Sequence, residues 1–262
     1  MERQAGQACL VPADHRRGMG DFMIRVVTFD AGNTLIGLKV PAGFTYAGVG
    51  RRFGLEMDPR RLESAFRRVW QENRAPVDQD GPRPDDGREW WRQLVARLLS
   101  RAGYAIPDLE GYFEAVYREF GQPGAWQLRP GTKVLLEELY RTGIRLGIVS
   151  NFDRRLYRIL DELGIRGYFE QVVISSEVGA DKPSLKIFRE ALSRFQVPAE
   201  EMLHVGDDEA TDGAGARAAG IQAVIVDDSE HSFEQVFARI HSVGSVLPDV
   251  AKAMSGLSKR RI

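Results

Sequence analysis

Cysteine is almost missing from this chain of 262 residues. Cys9 stands alone, which excludes an intrachain disulfide and any zinc centre built on several thiolates. A reducing, cytoplasmic setting is the expectation. Long apolar runs are also lacking, and no stretch reaches the ~20 residues that a membrane-spanning helix requires. Residues 1–20 carry Arg3, Arg16, Arg17, acids and glycines without the apolar stretch of a secretory signal. They are expected to form a disordered tail, with Met19 or Met23 as alternative starts. Excess charge of either sign is absent too. Basic side chains number 36 and acidic ones 37, so the formal net charge of −1 makes no general electrostatic case for nucleic acid or an anionic membrane. The pairs Arg51-Arg52, Arg60-Arg61 and Arg67-Arg68 lie among acidic and apolar residues and read as solvated helix faces, with a basic docking patch as the alternative. Internal repeats and low-complexity tracts are not found.

What is present is an ordinary globular composition, 43% hydrophobic and 28% charged, long enough for one large core or a core with a smaller domain. The run Ile24 to Phe29 reads as a buried strand, because β-branched and aromatic residues fill it and Gly32-Asn33 stops it. The pattern then turns helical: Leu62, Phe66, Val69 and Trp70 recur at helical spacing, as do Trp90, Trp91, Leu94, Val95 and Leu98, and Tyr112, Phe113, Val116, Tyr117 and Phe120. Asp58-Pro59 has the form of a capped helix start, and Ala75 to Arg88 that of a loop. The aromatics read as core of a helical bundle, with substrate stacking on Trp90 or Trp91 as the alternative.

From Pro130-Gly131 onward, helices alternate with strands at Ile144–Val149, Val172–Ile174, Met202–Val205 and Ile221–Val226. Such alternation predicts an α/β fold with a doubly wound parallel sheet to which the first strand also belongs. The helical stretch is then a lid inserted beside the strand ends. Expected boundaries are 21–38 and 125–245 for the core, 39–124 for the lid and 246–262 for a tail. Phe233 to Ile240 reads as one late helix, Val250 to Met254 as a weaker one, and Ser258 to Arg261 as a solvated end.

Polar clusters fall at the predicted C-terminal strand ends, where open α/β sheets place their ligands. They are Asp30 with Thr34, Ser150-Asn151, Lys182-Pro183, and Gly206-Asp207-Asp208 with Asp212. Each has a plain local explanation as a turn or a helix cap. Together, in order along one sheet edge, they point to chemistry. Asp30 is a candidate nucleophile or metal ligand, and Asp30 with Asp207 offers hard oxygen donors suited to Mg²⁺. The Ser150 hydroxyl and the backbone donors around Asn151 suit phosphoryl oxygens, and Lys182 supplies the fixed positive charge that phosphoryl transfer needs. Asp212, with Asp208 beside it, is placed to orient Lys182 or the metal shell.

The set Asp30-x-x-x-Thr34, Ser150, Lys182 and Gly206-Asp207-x-x-x-x-Asp212 resembles the haloacid dehalogenase superfamily of hydrolases over about Arg25 to Val226. Trp90-Trp91, Trp126-Gln127 and Ser150 to Leu156 are similar to one branch of it. The resemblance implies a Rossmann-like core, a helical C1-type cap and, for most members, Mg²⁺-dependent phosphatase activity on a small phosphorylated molecule. In that pattern Asp30, the carbonyl of Gly32 and Asp207 hold the metal, and Thr34, Ser150, Asn151 and Lys182 meet the substrate. The sequence departs from the pattern at Gly32, where such phosphatases carry a second aspartate as acid and base. Asp153, Asp208, Glu209 or a cap residue stands open as its replacement. Metal-independent haloacid dehalogenation, whose halide leaves unprotonated, is an alternative function. Phosphate binding without turnover is another.

Overall fold

The computed structural model describes residues 23–73, 78–122 and 124–226. The chain enters through β1 (Val26–Phe29), turns tightly into β2 (Ile36–Leu38) and leaves for four helices: α1 (Ala42–Arg52), α2 (Pro59–Glu72), α3 (Arg88–Arg101) and α4 (Leu109–Glu119). It returns along β3 (Trp126–Leu128), then alternates through α5 (Thr132–Arg141), β4 (Arg145–Ser150), α6 (Arg155–Glu162) and β5 (Gln171–Ile174). The last described part holds α7 (Ser175–Val178), α8 (Leu185–Phe195), β6 (Met202–Gly206), α9 (Ala214–Ala218) and β7 (Gln222–Ile225).

Five strands form one parallel sheet in the order β5-β4-β1-β6-β7. The central strand, β1, is wholly buried, as expected of four consecutive apolar or β-branched residues covered on both faces. One face of the sheet packs Leu135, Leu139, Leu156, Ile159 and Leu160 from α5 and α6. The other packs Ile187, Phe188, Ala191 and Phe195 from α8 with Ala216 from α9. Each fully buried large apolar side chain contributes ~1.5–3 kcal/mol, so these two layers dominate what holds the core together. The doubly wound sheet with an inserted helical cap, expected from the alternation, is the architecture observed.

Register places the functional edge. Phe29 lies opposite Ile148 on β4 and Val205 on β6, so Asp30 emerges between Val149-Ser150 on one side and Gly206-Asp207 on the other. The Asp30 N–H donates to the Val205 carbonyl at 2.8 Å, extending the ladder by one bond. The turn that follows uses Asn33 at φ 58°, a left-handed conformation that asparagine tolerates better than most residues.

The cap has a core of its own in which Tyr46, Leu62, Val95, Leu98, Tyr112, Phe113 and Val116 are buried together. Asp58 caps α2 by accepting from the Arg60 N–H, with Pro59 at the first helical position, as its sequence suggests. Trp70, Trp90 and Trp91 pack on one another with ring centroids 4.8–5.9 Å apart. The antiparallel β2–β3 pair, which carries the chain into and out of the cap, is absent from the sequence reading. Its strands are three residues each and one contains Gly37, too little for alternation to register.

Among the described residues, two seams join cap to core. The loop before α3 lies on the core: Gln79 N–H donates to the Gly179 carbonyl (2.9 Å), Arg83 N–H donates to Ser176 (2.7 Å), and the Arg83 side chain pairs with Asp181 (2.6 Å). In the other seam, the Arg155 guanidinium sits 3.6 Å from the Tyr117 ring centroid and donates to the Tyr117 carbonyl at 3.0 Å. No helix among the described residues is long and apolar enough to cross a membrane. The expected tail at 1–20, the late helices around Phe233 and Val250, and the end at Ser258 to Arg261 lie outside the described residues.

Candidate active site

Lys182 is the hub of the site. Its Nζ lies 2.5 Å from Asp30 Oδ1 and 2.5 Å from Asp212 Oδ1, and all three side chains are buried. Burial alone disfavours an ammonium, but Asp212 and Asp30 outweigh it and hold the Lys182 pKa above the ordinary lysine range. Burial likewise works against ionised Asp212, yet Lys182 and then His204 outweigh it and keep that carboxyl well below the usual range. Asp30 goes the other way. Burial, joined by the Asp212 and Asp207 carboxylates, pushes it up to about 6 against the pull of Lys182.

Asn151 fixes the main chain of Lys182. Its Oδ1 accepts from the Lys182 N–H at 2.6 Å, and its Nδ2 donates to the Lys182 carbonyl at 3.1 Å. Both ends of the Asn151 amide are thus spent on positioning the lysine. Ser150 ends β4 as a buried residue beside it. Thr34, also buried, donates its hydroxyl to Asp207 Oδ1 at 3.2 Å. Burial, followed by the Asp212 charge, raises the Asp207 pKa despite Lys182 and Thr34.

The acids after β6 divide their work. Asp208 caps the wide helical turn Glu209–Gly213, accepting from Ala210 N–H at 2.9 Å and Thr211 N–H at 3.1 Å. That turn swings Asp212 back over the strand end, where its Oδ2 accepts from the Asp208 N–H at 3.1 Å. Gly206 makes room for the return, since a Cβ there would lie 2.2 Å from Asp212 Cγ.

His204 and Thr28 complete the network and are absent from the sequence reading. His204 Nε2 is 3.1 Å from Asp212 Oδ1 and its Nδ1 is 3.0 Å from Thr28 Oγ1. Because ionised Asp212 only accepts, Nε2 carries the proton toward it. The signal available in sequence was a polar residue inside the otherwise apolar strand Met202–Gly206.

Asp153 is also buried and fully engaged. It accepts from the cap indole Trp91 Nε1 at 3.1 Å and from the Arg155 side chain at 2.8 and 2.6 Å. At Gly32, in contrast, a Cβ would meet no atom within 4 Å, so space stands open two residues from Asp30.

Carboxylate oxygens of Asp30, Asp207 and Asp212 lie within 4.8 Å of one another. Asp30 and Asp212 share one ammonium while Asp207 adds a third carboxylate, and burial followed by the neighbouring carboxylates raises the Asp30 and Asp207 pKa values. A divalent cation of the Mg²⁺ type fits that donor set and would relieve the repulsion.

An open α/β sheet that carries an aspartate at the end of its central strand, beneath a helical cap inserted after that strand, is the architecture of the capped aspartate hydrolases. Residues 24–220 match the family model described as haloacid dehalogenase-like hydrolase, and the chain belongs to that family of enzymes. Among curated proteins it is similar to haloacid dehalogenase-like hydrolase domain-containing protein 3 of Mus musculus, 36% identical over 211 residues, 79% of this chain and 83% of that protein. Two solved structures share the fold. The HAD-hydrolase YfnB from Bacillus subtilis, solved bound to magnesium, is 20% identical with a TM-score of 0.62, covering 84% of this chain and 99% of that one. The 2-haloacid dehalogenase from Pseudomonas syringae pv. Tomato is 23% identical with a TM-score of 0.52, covering 84% and 99%.

Proposed function

We propose that this protein is a Mg²⁺-dependent phosphohydrolase that works through an aspartyl-phosphate on Asp30 and acts on a small phosphorylated substrate. The observation that carries the reading is the sharing of one buried ammonium: Lys182 Nζ stands 2.5 Å from Asp30 and 2.5 Å from Asp212, with Asp207 in the same acidic cluster. In this reading an Asp30 oxygen attacks phosphorus and the leaving oxygen departs with the electron pair of its bond to phosphorus. Water then attacks the phosphorus of the aspartyl-phosphate and the Asp30 carboxylate is regenerated.

Lys182 keeps its charge through both steps and offsets charge on the phosphoryl oxygens. Asp212 orients the ammonium, Asn151 holds the lysine backbone, and Asp208 shapes the turn that returns Asp212. The Ser150 hydroxyl and the backbone N–H groups near Asn151 receive phosphoryl oxygens, while Thr34 steadies Asp207. Asp30, Asp207 and the Gly32 carbonyl would hold Mg²⁺, which supplies charge neutralisation at the transferred group. The magnesium bound by the Bacillus subtilis relative in fold supports this choice of ion.

Gly32 favours a second reading. Halide displacement by Asp30 needs no proton donor at that position, and a 2-haloacid dehalogenase shares the fold. A panel of phosphate monoesters and 2-haloacids, run with Mg²⁺ and with EDTA on wild type and Asp30→Asn, separates the two. Phosphate release that needs both Mg²⁺ and Asp30 is expected. Halide release that persists in EDTA would replace the first reading with the second, and absence of both would leave phosphate binding without turnover.

A further inference from the structure

Among the described residues, four acids that follow β4 and β6 and could stand in for an aspartate at position 32 are each committed elsewhere. Asp153 is held by Trp91 and Arg155. Asp208 accepts from two backbone N–H groups as a helix cap. Glu209 is exposed and paired with Arg217. Asp212 is shared between Lys182 and His204. Above Gly32 the space that a side chain would fill is open.

The consequence differs for the two halves of the reaction. In the first, the bond from Asp30 oxygen to phosphorus forms as the bond to the leaving oxygen breaks, and that oxygen takes the electron pair. With no acid beside it, departure is easy only for an oxygen stable as an anion, such as the carboxylate of an acyl phosphate or the phenolate of an aryl phosphate. In the second, water attacks phosphorus, the electron pair returns to the Asp30 carboxylate, and the proton of the water goes to bulk solvent because no side chain stands ready for it. General acid–base catalysis contributes about 10²–10⁴-fold where it operates, and with those four acids committed neither half draws it from them. Only the first half can be relieved by the choice of substrate.

We infer that donors with anion-stabilised leaving groups, the acyl and aryl phosphates, phosphorylate Asp30 quickly, and that the phosphoryl group then leaves slowly, so that phospho-Asp30 accumulates. The inference rests on the reading of Asp30 as nucleophile. It names the substrate class of that site and assigns its resting form during turnover.

The full-length protein in Mg²⁺ is mixed rapidly with excess p-nitrophenyl phosphate, and samples are quenched in acid for intact mass. A burst of about one equivalent of nitrophenolate per protein, followed by slower release, is the expected course. The quenched protein gains the mass of one phosphoryl group, and Asp30→Asn abolishes both signals. Gly32→Asp, for which the open space leaves room, removes the burst and gains turnover of glycerol phosphate by about 10²-fold or more. Gly32→Asn, equal in size but unable to exchange a proton, gains none of that glycerol phosphate turnover. Linear release with no phosphorylated protein would overturn the inference, as would wild-type hydrolysis of glycerol phosphate at a rate close to that of the aryl ester; either result leaves Asp30-dependent hydrolysis standing. Phosphate release that Asp30→Asn does not change would overturn the nucleophile assignment itself.

Discussion

Asn151 grips Lys182 by the main chain, accepting from its N–H at 2.6 Å and donating to its carbonyl at 3.1 Å. One side-chain amide thereby sets where the buried ammonium stands between Asp30 and Asp212. Asn151→Ala strands both backbone groups, each worth ~1–3 kcal/mol when buried and unsatisfied. Thermal unfolding is expected to show that loss. Phosphate release should fall by about 10²-fold, the scale at which a misplacement of an ångström is felt in a catalytic site.

Lys182→Met tests charge in the same place. It removes the one cation that Asp30 and Asp212 share. Breaking a buried pair from one side costs about 3–5 kcal/mol, and denaturant unfolding of the metal-free protein is the measurement. Added Mg²⁺ is expected to recover part of the stability and none of the hydrolysis. Equal stability of the two proteins in EDTA would contradict the buried pairing.

Arg155→Lys probes the seam between cap and core. Lysine keeps the charge but loses the fork on Asp153 and the flat contact with Tyr117. A loss of ~1–3 kcal/mol is expected, because charge-assisted bonds of this kind exceed neutral ones. Trp91→Phe removes the indole N–H on Asp153 with part of the ring packing on Trp70, Trp90 and Arg155, and should also loosen the seam. Limited proteolysis, read as the rate of cleavage within the cap, checks both.

The pH dependence of metal-free stability carries a definite sign. Burial raises Asp30 to about 6, above its value of about 4 in an unfolded chain. Protonated Asp30 therefore favours the folded state. That contribution is complete below about pH 4 and is lost as pH rises through about 6. Asp30→Asn removes the titration, so the stability of the variant relative to wild type should grow between pH 4 and pH 7 in EDTA. Chemical denaturation across that range is the check, and a constant difference would contradict the raised value.

Much of this site was legible because it depends on strand ends. Parallel alternation puts every strand's C-terminus at one edge, so Asp30, Ser150 and Asp207 could be set along it from sequence, while Lys182, expected there too, stands beyond α7. What their side chains do with one another could not be read that way. The Thr34 hydroxyl serves Asp207, and the Asn151 amide serves the Lys182 backbone. Those bonds are decided by ångström-scale geometry across 173 and 31 residues of chain. His204 was hidden because one histidine in a short strand does not disturb an apolar pattern. The Trp91–Asp153 contact joins residues 62 apart with no periodic trace of their meeting. Trp91 packs on Trp70 and Trp90, as its reading as bundle core expects, and its indole N–H also reaches Asp153.

The most direct test of Asp30 as the phosphoryl acceptor is a single turnover of p-nitrophenyl phosphate in water enriched in heavy oxygen, with mass analysis of both the released phosphate and the peptide bearing Asp30. Wild type is expected to place the label in phosphate and none in the Asp30 carboxylate, and Asp30→Asn to release no labelled phosphate. Label in the Asp30 carboxylate would move the attack of water from phosphorus to the carboxyl carbon of the aspartyl-phosphate, whereas equal labelled phosphate from the variant would contradict Asp30 as the acceptor.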